Sequence, residues 1–192
     1  MEKMTLEEEK ELILRAKVDY QAFDYLYEKY MPAIFRYVMY RVYNHEAAED
    51  IVSTVFYKAM KNISLFKWRK IPFSAWLYRI AFNEICNYAK KEKKMYKLAA
   101  NHELRSNDQH IDSYIDNQQS FKFVHTYLKQ LPLKDQDLIT LRFFEKKPFT
   151  EIASITGKNE STLRVNLHRA LKKLQEIIPK EVYNEALKQV SM

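Results

Sequence analysis

The chain has 192 residues, 47% of them apolar, which is enough for one or two domains with real cores. A single Gly and 5 Pro leave few special turns, so the chain should be mostly helical, and a net charge of +7 favours a polyanionic partner. The lone Cys86 excludes an internal disulfide or a cysteine zinc cluster, and no run of about 18 apolar residues or secretory leader occurs, so a cytoplasmic protein without membrane insertion is expected.

Helical periodicity starts at once. Leu6 to Val18 forms a first helix, and Asp19 can cap a second that runs to Tyr30. Pro32 starts or kinks a third through "AIFRYVMYRVY". Asn44 caps a fourth, "HEAAEDIVSTVFYKAMKNI", whose early acids suit its dipole. On it Asp50, Ser53 and Tyr57 share a polar edge beside an apolar stripe of Ile51, Val52, Val55, Phe56 and Met60. That pattern fits a docking face for a partner helix and equally an ordinary core helix with a wet side.

"SLFKWRKIP" breaks the pattern, and a fifth helix follows from Phe73 to about Lys94. Here Phe66, Trp68, Phe73, Trp76 and Tyr78 alternate with Lys67, Arg69, Lys70 and Arg79. Rings interleaved with cations suit single-stranded nucleic acid, whose bases stack while its phosphates meet the charges. Phe73, Leu77, Ile80 and Ile85 have core spacing, so Trp76 is expected to be at least half buried, and Trp68 is the better surface candidate. Cys86, between Ile85 and Asn87, reads as a packed helix position.

Residues 98–118 have sparse apolar residues, no steady period and four acids against one arginine, as in a linker. Periodicity returns at Ser120, with one helix ending before Pro132 and a second, "KDQDLITLRFFE", ending before Pro148. Thr150 can cap a short helix that Gly157 ends in the left-handed region, and Asn159 caps the next. Two helices joined so tightly make a helix-turn-helix or an ordinary helical hairpin. On the second, Leu163, Leu167, Ala170, Leu171 and Leu174 form the core face. Opposite lie Ser161, Val165, His168, Arg169 and Lys172, with Thr162, Arg164 and Lys173 at the edges. Small polar groups near the helix start, followed by cations, suit docking in the DNA major groove. Pro179 begins a short tail helix.

Taken in order, these segments resemble bacterial sigma factors of the extracytoplasmic-function (ECF) group of the sigma-70 family. "AFDYLYEKYMPAIFRYV", "AEDIVSTVFYKAM" and "PFSAWLYRIAFNEICNYAKK" resemble its domain two, and "LKQLPLKDQDLITLRFFEKKPFTEIASITGKNESTLRVNLHRALKKL" its domain four, together covering roughly residues 19 to 176. The resemblance implies an all-α fold of two small helical domains joined by a flexible linker, the C-terminal one a helix-turn-helix. The partition is domain two at 1–97, linker at 98–118, domain four at 119–178 and a tail at 179–192.

It further implies binding to core RNA polymerase, through the β′ clamp helices and the β flap tip, and to promoter DNA. An anti-sigma factor is a third class of partner that the family allows. Asp50, Ser53, Phe56 and Tyr57 would meet polymerase. Lys67, Trp68, Arg69, Lys70, Trp76, Arg79 and Asn83 would meet the minus-ten element, and the Ser161–Lys173 face the minus-thirty-five element. Ser53 and Phe82 stand where the family usually has Gln and Arg; Ser161, Val165 and Asn166 stand for its common Gly, Ser and Arg.

The alternative is a stand-alone helix-turn-helix regulator with an N-terminal sensing domain, which would bind duplex DNA tightly without polymerase. No phosphate-cradling glycine loop, nucleophile arrangement, metal-ligand spacing or cofactor motif is read, so an enzyme is not expected. His45, His102, His110, His125 and His168 are scattered and read as surface or capping residues.

Overall fold

The structure is a computed structural model that describes residues 5–68, 72–99 and 125–179. Among them there is helix and no strand. The N-terminal block holds α1 (Leu6–Ala16), α2 (Tyr20–Val42), α3 (His45–Asn62) and α4 (Phe73–Ala99). The C-terminal block holds a helical turn at 125–128, α5 (Leu133–Ile139), a π turn (Thr140–Phe144), α6 (Phe149–Thr156) and α7 (Glu160–Ile177).

Caps set most helix starts. Thr5 and Glu8 form a capping box on α1. Asp19 accepts the Gln21 N–H at 2.9 Å, and Asn44 the Ala47 N–H at 2.9 Å. α4 is served from far along the chain: buried Glu9 on α1 accepts the Phe73 N–H at 3.0 Å and the Tyr30 hydroxyl. Burial beside that carboxylate holds the Tyr30 phenol well above its usual range.

Pro32 does not divide two helices. It lies inside a continuous 23-residue α2. An interior proline costs about 3 kcal/mol. Against that, α2 buries Phe23, Leu26, Ile34, Tyr37 and Val38 on one continuous face, each worth about 1.5–3 kcal/mol. The first helix stops at Ala16 rather than Val18, and Val18 is exposed. α4 runs beyond Lys94 to Ala99. The expected linker at 98–118, the start of the helix from Ser120 and the tail helix after Pro179 lie largely or wholly outside the described residues.

"KDQDLITLRFFE" is not one regular helix. After Ile139 it widens into a π turn, closed by the Glu145 N–H on the Thr140 carbonyl at 2.9 Å, and Lys146 leaves at φ 52. The widening carries Glu145 toward the N-terminal block. α6 begins at Phe149 behind Pro148, so Thr150 is not its cap. Proline pre-sets φ for a helix start, and Phe149 is held between the Arg142 and Arg164 guanidinium groups at 5.0 and 4.4 Å.

The two blocks share a seam. Arg41 reaches Asp137 at 3.1 Å and the Leu133 carbonyl at 3.2 Å, and the Tyr37 hydroxyl donates to the same Asp137. Arg36 grips Glu145 with two bonds of 2.9 Å, and the Tyr78 hydroxyl donates to Glu145 at 2.8 Å. Burial pushes the Asp137 carboxyl up, against the pull of Arg41. Phe82 lies over the Arg41 guanidinium at 6.0 Å, where an arginine would set two cations together.

Candidate nucleic-acid and polymerase interfaces

The lone glycine sits where helical geometry needs it. Gly157 closes α6 at φ 73, donating to the Ala153 carbonyl at 2.8 Å. Asn159 then caps α7, accepting from the Thr162 N–H at 2.8 Å and the Ser161 hydroxyl at 3.0 Å. A Cβ at position 157 would meet only the Arg79 Nη2 at 3.5 Å, an ordinary contact. Gly157→Ala should therefore cost about 1–2 kcal/mol in urea unfolding through backbone strain alone, and Gly157→Asn less.

α7 buries Leu163, Leu167 and Ala170 and leaves Leu171 exposed, so the core face is narrower than expected. All eight residues read from sequence as a DNA face are exposed: Ser161, Thr162, Arg164, Val165, His168, Arg169, Lys172 and Lys173. Two of these cations already have partners. Arg164 stacks on Phe149 and meets Glu160 at 3.3 Å, and Lys173 meets Asp135 at 2.7 Å. The side chains of Val165, His168, Arg169 and Lys172 have no polar partner among the described residues.

On the N-terminal block, Phe66, Phe73 and Trp76 form a ring cluster with centroids 5.1–5.4 Å apart. Phe66 and Trp76 floor an open cavity of about 430 Å³, with Asn62 and Asn83 on its walls and the Lys58–Glu84 pair, 2.7 Å apart, at its edge. Aromatic floor plus amide walls can stack on and hydrogen-bond a flat polar ring. Trp76 is half-buried, as expected; Trp68 is also half-buried against the core rather than free in solvent. Lys67 is exposed. Arg69 and Lys70 lie outside the described residues. Arg79 is exposed but engaged, donating to the Ile155 and Ser154 carbonyls at 3.0 and 3.2 Å. Asn62, Lys58 and Glu84 were not read from sequence, because their meeting joins two helices 26 residues apart.

A third feature is an apolar groove of about 770 Å³ between α2 and α3, lined by Met31, Phe35, Met39, Phe56 and Met60 with Ser53 and Tyr57 on its rim. Asp50, Ser53 and Tyr57 are exposed. Phe56 is buried, packed edge-on against Tyr27 at 4.7 Å, so it builds the groove floor instead of standing out as a contact. The α2 side of this groove gave no sequence signal, since its Met and Phe residues have ordinary core spacing.

His125 departs from a surface or capping role. It is buried and stacked on Tyr43 at 4.7 Å. Burial lowers its imidazole to about 4, helped by nearby Lys129 and opposed by the bond it donates to the Arg41 backbone carbonyl. Cys86 is half-buried, and burial raises its thiol. Among the described residues, no cluster of three His, Cys, Asp or Glu could hold a metal, and no helix is long and apolar enough to cross a membrane.

Family models match both blocks: Sigma-70 region 2 over residues 26–95, and Sigma-70 region 4 over residues 124–174. The RNA polymerase sigma factor SigV of Bacillus subtilis (strain 168) is 30% identical over 147 residues, covering 77% of this chain and 85% of that relative. The chain belongs to the sigma-70 family of RNA polymerase sigma factors. Its relatives carry it into the ECF group: ECF RNA polymerase sigma factor BldN of Streptomyces coelicolor (strain ATCC BAA-471 / A3(2) / M145) is 29% identical over 173 residues. That match covers 88% of this chain and spans only 65% of BldN.

The fold agrees. CnrH, solved in complex with the cytosolic domain of CnrY, superposes with a TM-score of 0.63 at 20% identity, covering 88% of this chain and 96% of CnrH. The sigma factor RpoE of Bartonella quintana, solved with the anti-sigma factor NepR, gives 0.63 at 22% identity, covering 81% and 95%. The region 2 match contains the groove and the aromatic cavity; the region 4 match contains the helix-turn-helix.

Proposed function

We propose that this sigma factor binds core RNA polymerase and directs it to promoters by reading duplex DNA with α7 and holding unpaired DNA on the aromatic cavity. The observation that carries this is the recognition face: eight side chains chosen from spacing alone all point to solvent behind a glycine-closed turn. Arg169 and Val165 lie one turn apart on that face. An arginine there can grip guanine with two hydrogen bonds, while a valine meets something apolar, such as a thymine methyl. Lys172, and Lys173 once released from Asp135, serve phosphates.

At the cavity, an unstacked base lies on the floor that Trp76 and Phe66 form, with Asn83 and Asn62 addressing its edge, and Lys67 meets the backbone. The groove, with Ser53 and Tyr57 on its rim, takes an apolar helix of polymerase, and exposed Asp50 one turn before Ser53 adds a charge on the same helix. Catalysis belongs to the polymerase, the site of action is the cytoplasm, and an anti-sigma factor is the natural antagonist.

The test is promoter-library selection with reconstituted holoenzyme. Arg169→Ala should cost about 1–3 kcal/mol at one upstream base pair and relax the preference there. An unaltered upstream consensus would show that α7 does not read bases. For the groove, Asp50→Ala with Tyr57→Ala should weaken the pull-down of core enzyme and leave circular dichroism unchanged, since both side chains are exposed.

A further inference from the structure

We propose that the aromatic cavity selects an unpaired base with an exocyclic amino group and excludes thymine, and that Glu84 is the residue that sets this choice. The proposal rests on the reading of the cavity as a holder of unpaired DNA and deepens it.

Two helices build the selecting wall. Trp76, Ile80, Asn83 and Glu84 recur at helical spacing on α4, so one face of that helix carries both part of the floor and a carboxylate. Lys58 and Asn62 lie one turn apart on α3 and line the same cavity. Lys58 donates to Glu84 Oε1 at 2.7 Å, and Asn62 Nδ2 donates to the Lys58 carbonyl at 2.8 Å. Those two bonds fix which atoms are left over. Glu84 Oε2 and Asn62 Oδ1 have no protein partner among the described residues, and both can only accept. The Glu84 side chain is 13% exposed, so its spare oxygen meets little water and is left to whatever fills the cavity. Lys58 balances the carboxylate, so the wall does not repel a phosphodiester.

Base chemistry then decides. Cytosine, adenine and guanine each carry an amino group with a pair of hydrogens to donate. Thymine carries none: its edge is one ring N–H between carbonyl oxygens. Set against two acceptors, thymine satisfies at most one and turns a carbonyl oxygen toward the carboxylate. A site built to accept from an N–H rejects a ligand that lacks it far more sharply than an apolar pocket rejects a missing methyl. The floor of Phe66 and Trp76 makes no such choice, since every base has a π face. Glu84 adds the discrimination that stacking lacks, and its charge strengthens the bond it accepts.

The experiment selects promoters from a library randomised across the minus-ten element, with holoenzyme reconstituted from wild type or Glu84→Gln. Glutamine keeps the length of the side chain. Its carbonyl can stay with Lys58 while its amide N–H turns into the cavity, so an acceptor becomes a donor. Wild type should disfavour thymine about tenfold or more at one position. Glu84→Gln should accept thymine there and keep the preferences elsewhere, a gain that a damaged fold cannot produce. A second arm uses a pre-melted template, so that base pairing does not contribute, and removes only the amino group from the preferred base at that position. Pyrimidinone replaces cytosine, purine replaces adenine, or hypoxanthine replaces guanine. Run-off transcription should fall about tenfold with wild type and by less than about twofold with Glu84→Gln. Thymine accepted equally at every position by wild type, an unchanged thymine penalty in Glu84→Gln, or transcription indifferent to the amino group overturns the assignment. If wild type shows no preference anywhere in the element, the cavity reads no base and the function proposed for it fails too. Preferences that persist unmoved in Glu84→Gln and with the amino-less bases overturn only the role of Glu84.

Discussion

Replacing Arg41 with alanine should destabilise the folded molecule by about 3–5 kcal/mol, the usual cost of orphaning one member of a buried ion pair. The reason lies in what remains. Asp137 is buried, with its carboxyl already pushed up, and Tyr37 alone would still donate to it. The Leu133 carbonyl loses its guanidinium donor as well. Urea unfolding followed by tryptophan fluorescence and by circular dichroism reads the result. Wild type should show one transition. Arg41→Ala should show an earlier one, or two separate ones as the blocks lose their coupling. Arg41→Met with Asp137→Leu should recover most of the loss, because it removes both charges together. A single transition at the wild-type midpoint in Arg41→Ala would show that this pair does not tie the blocks.

Acid should act through His125. Its imidazole ionises at about 4 when folded and near 6.5 when free. Below pH 6.5 the unfolded chain therefore binds a proton that the folded chain refuses. Stability is intact above about pH 6.5, falls as pH drops toward 4 and then levels, with a total loss of about 3 kcal/mol from this group. His125→Phe keeps the ring against Tyr43 and removes the proton. It should flatten the pH dependence of unfolding between pH 6.5 and 4 relative to wild type. Parallel curves for the two proteins would assign the acid sensitivity to other groups.

What was legible in the sequence is what is decided within a few residues. The caps Asp19, Asn44 and Asn159 and the left-handed Gly157 each act on neighbours two to four positions away, and the solvent face of α7 follows from its period. What was hidden depends on partners far along the chain. Glu9 caps α4 from 64 residues away, Arg36 finds Glu145 across 109, and Tyr37 finds Asp137 across 100. No periodicity announces such meetings. The same holds for Phe56: an apolar residue beside a polar edge reads as contact or floor until the opposing Tyr27 is in place. Pro32 misled because a local breaking rule was outweighed by packing along the whole of α2.

That proline has a mechanical consequence. α2 is a rod of about 35 Å with one missing rung, since Pro32 offers no N–H to the turn before it. One arm, Tyr20 to Met31, meets α1 through Tyr30 on Glu9 and α3 through Tyr27 on Phe56. The other carries Arg36, Tyr37 and Arg41 to the opposite block. Pro32 itself stands in the wall of the apolar groove. A load on that wall thus bears on the fulcrum of a lever whose far end grips two carboxylates.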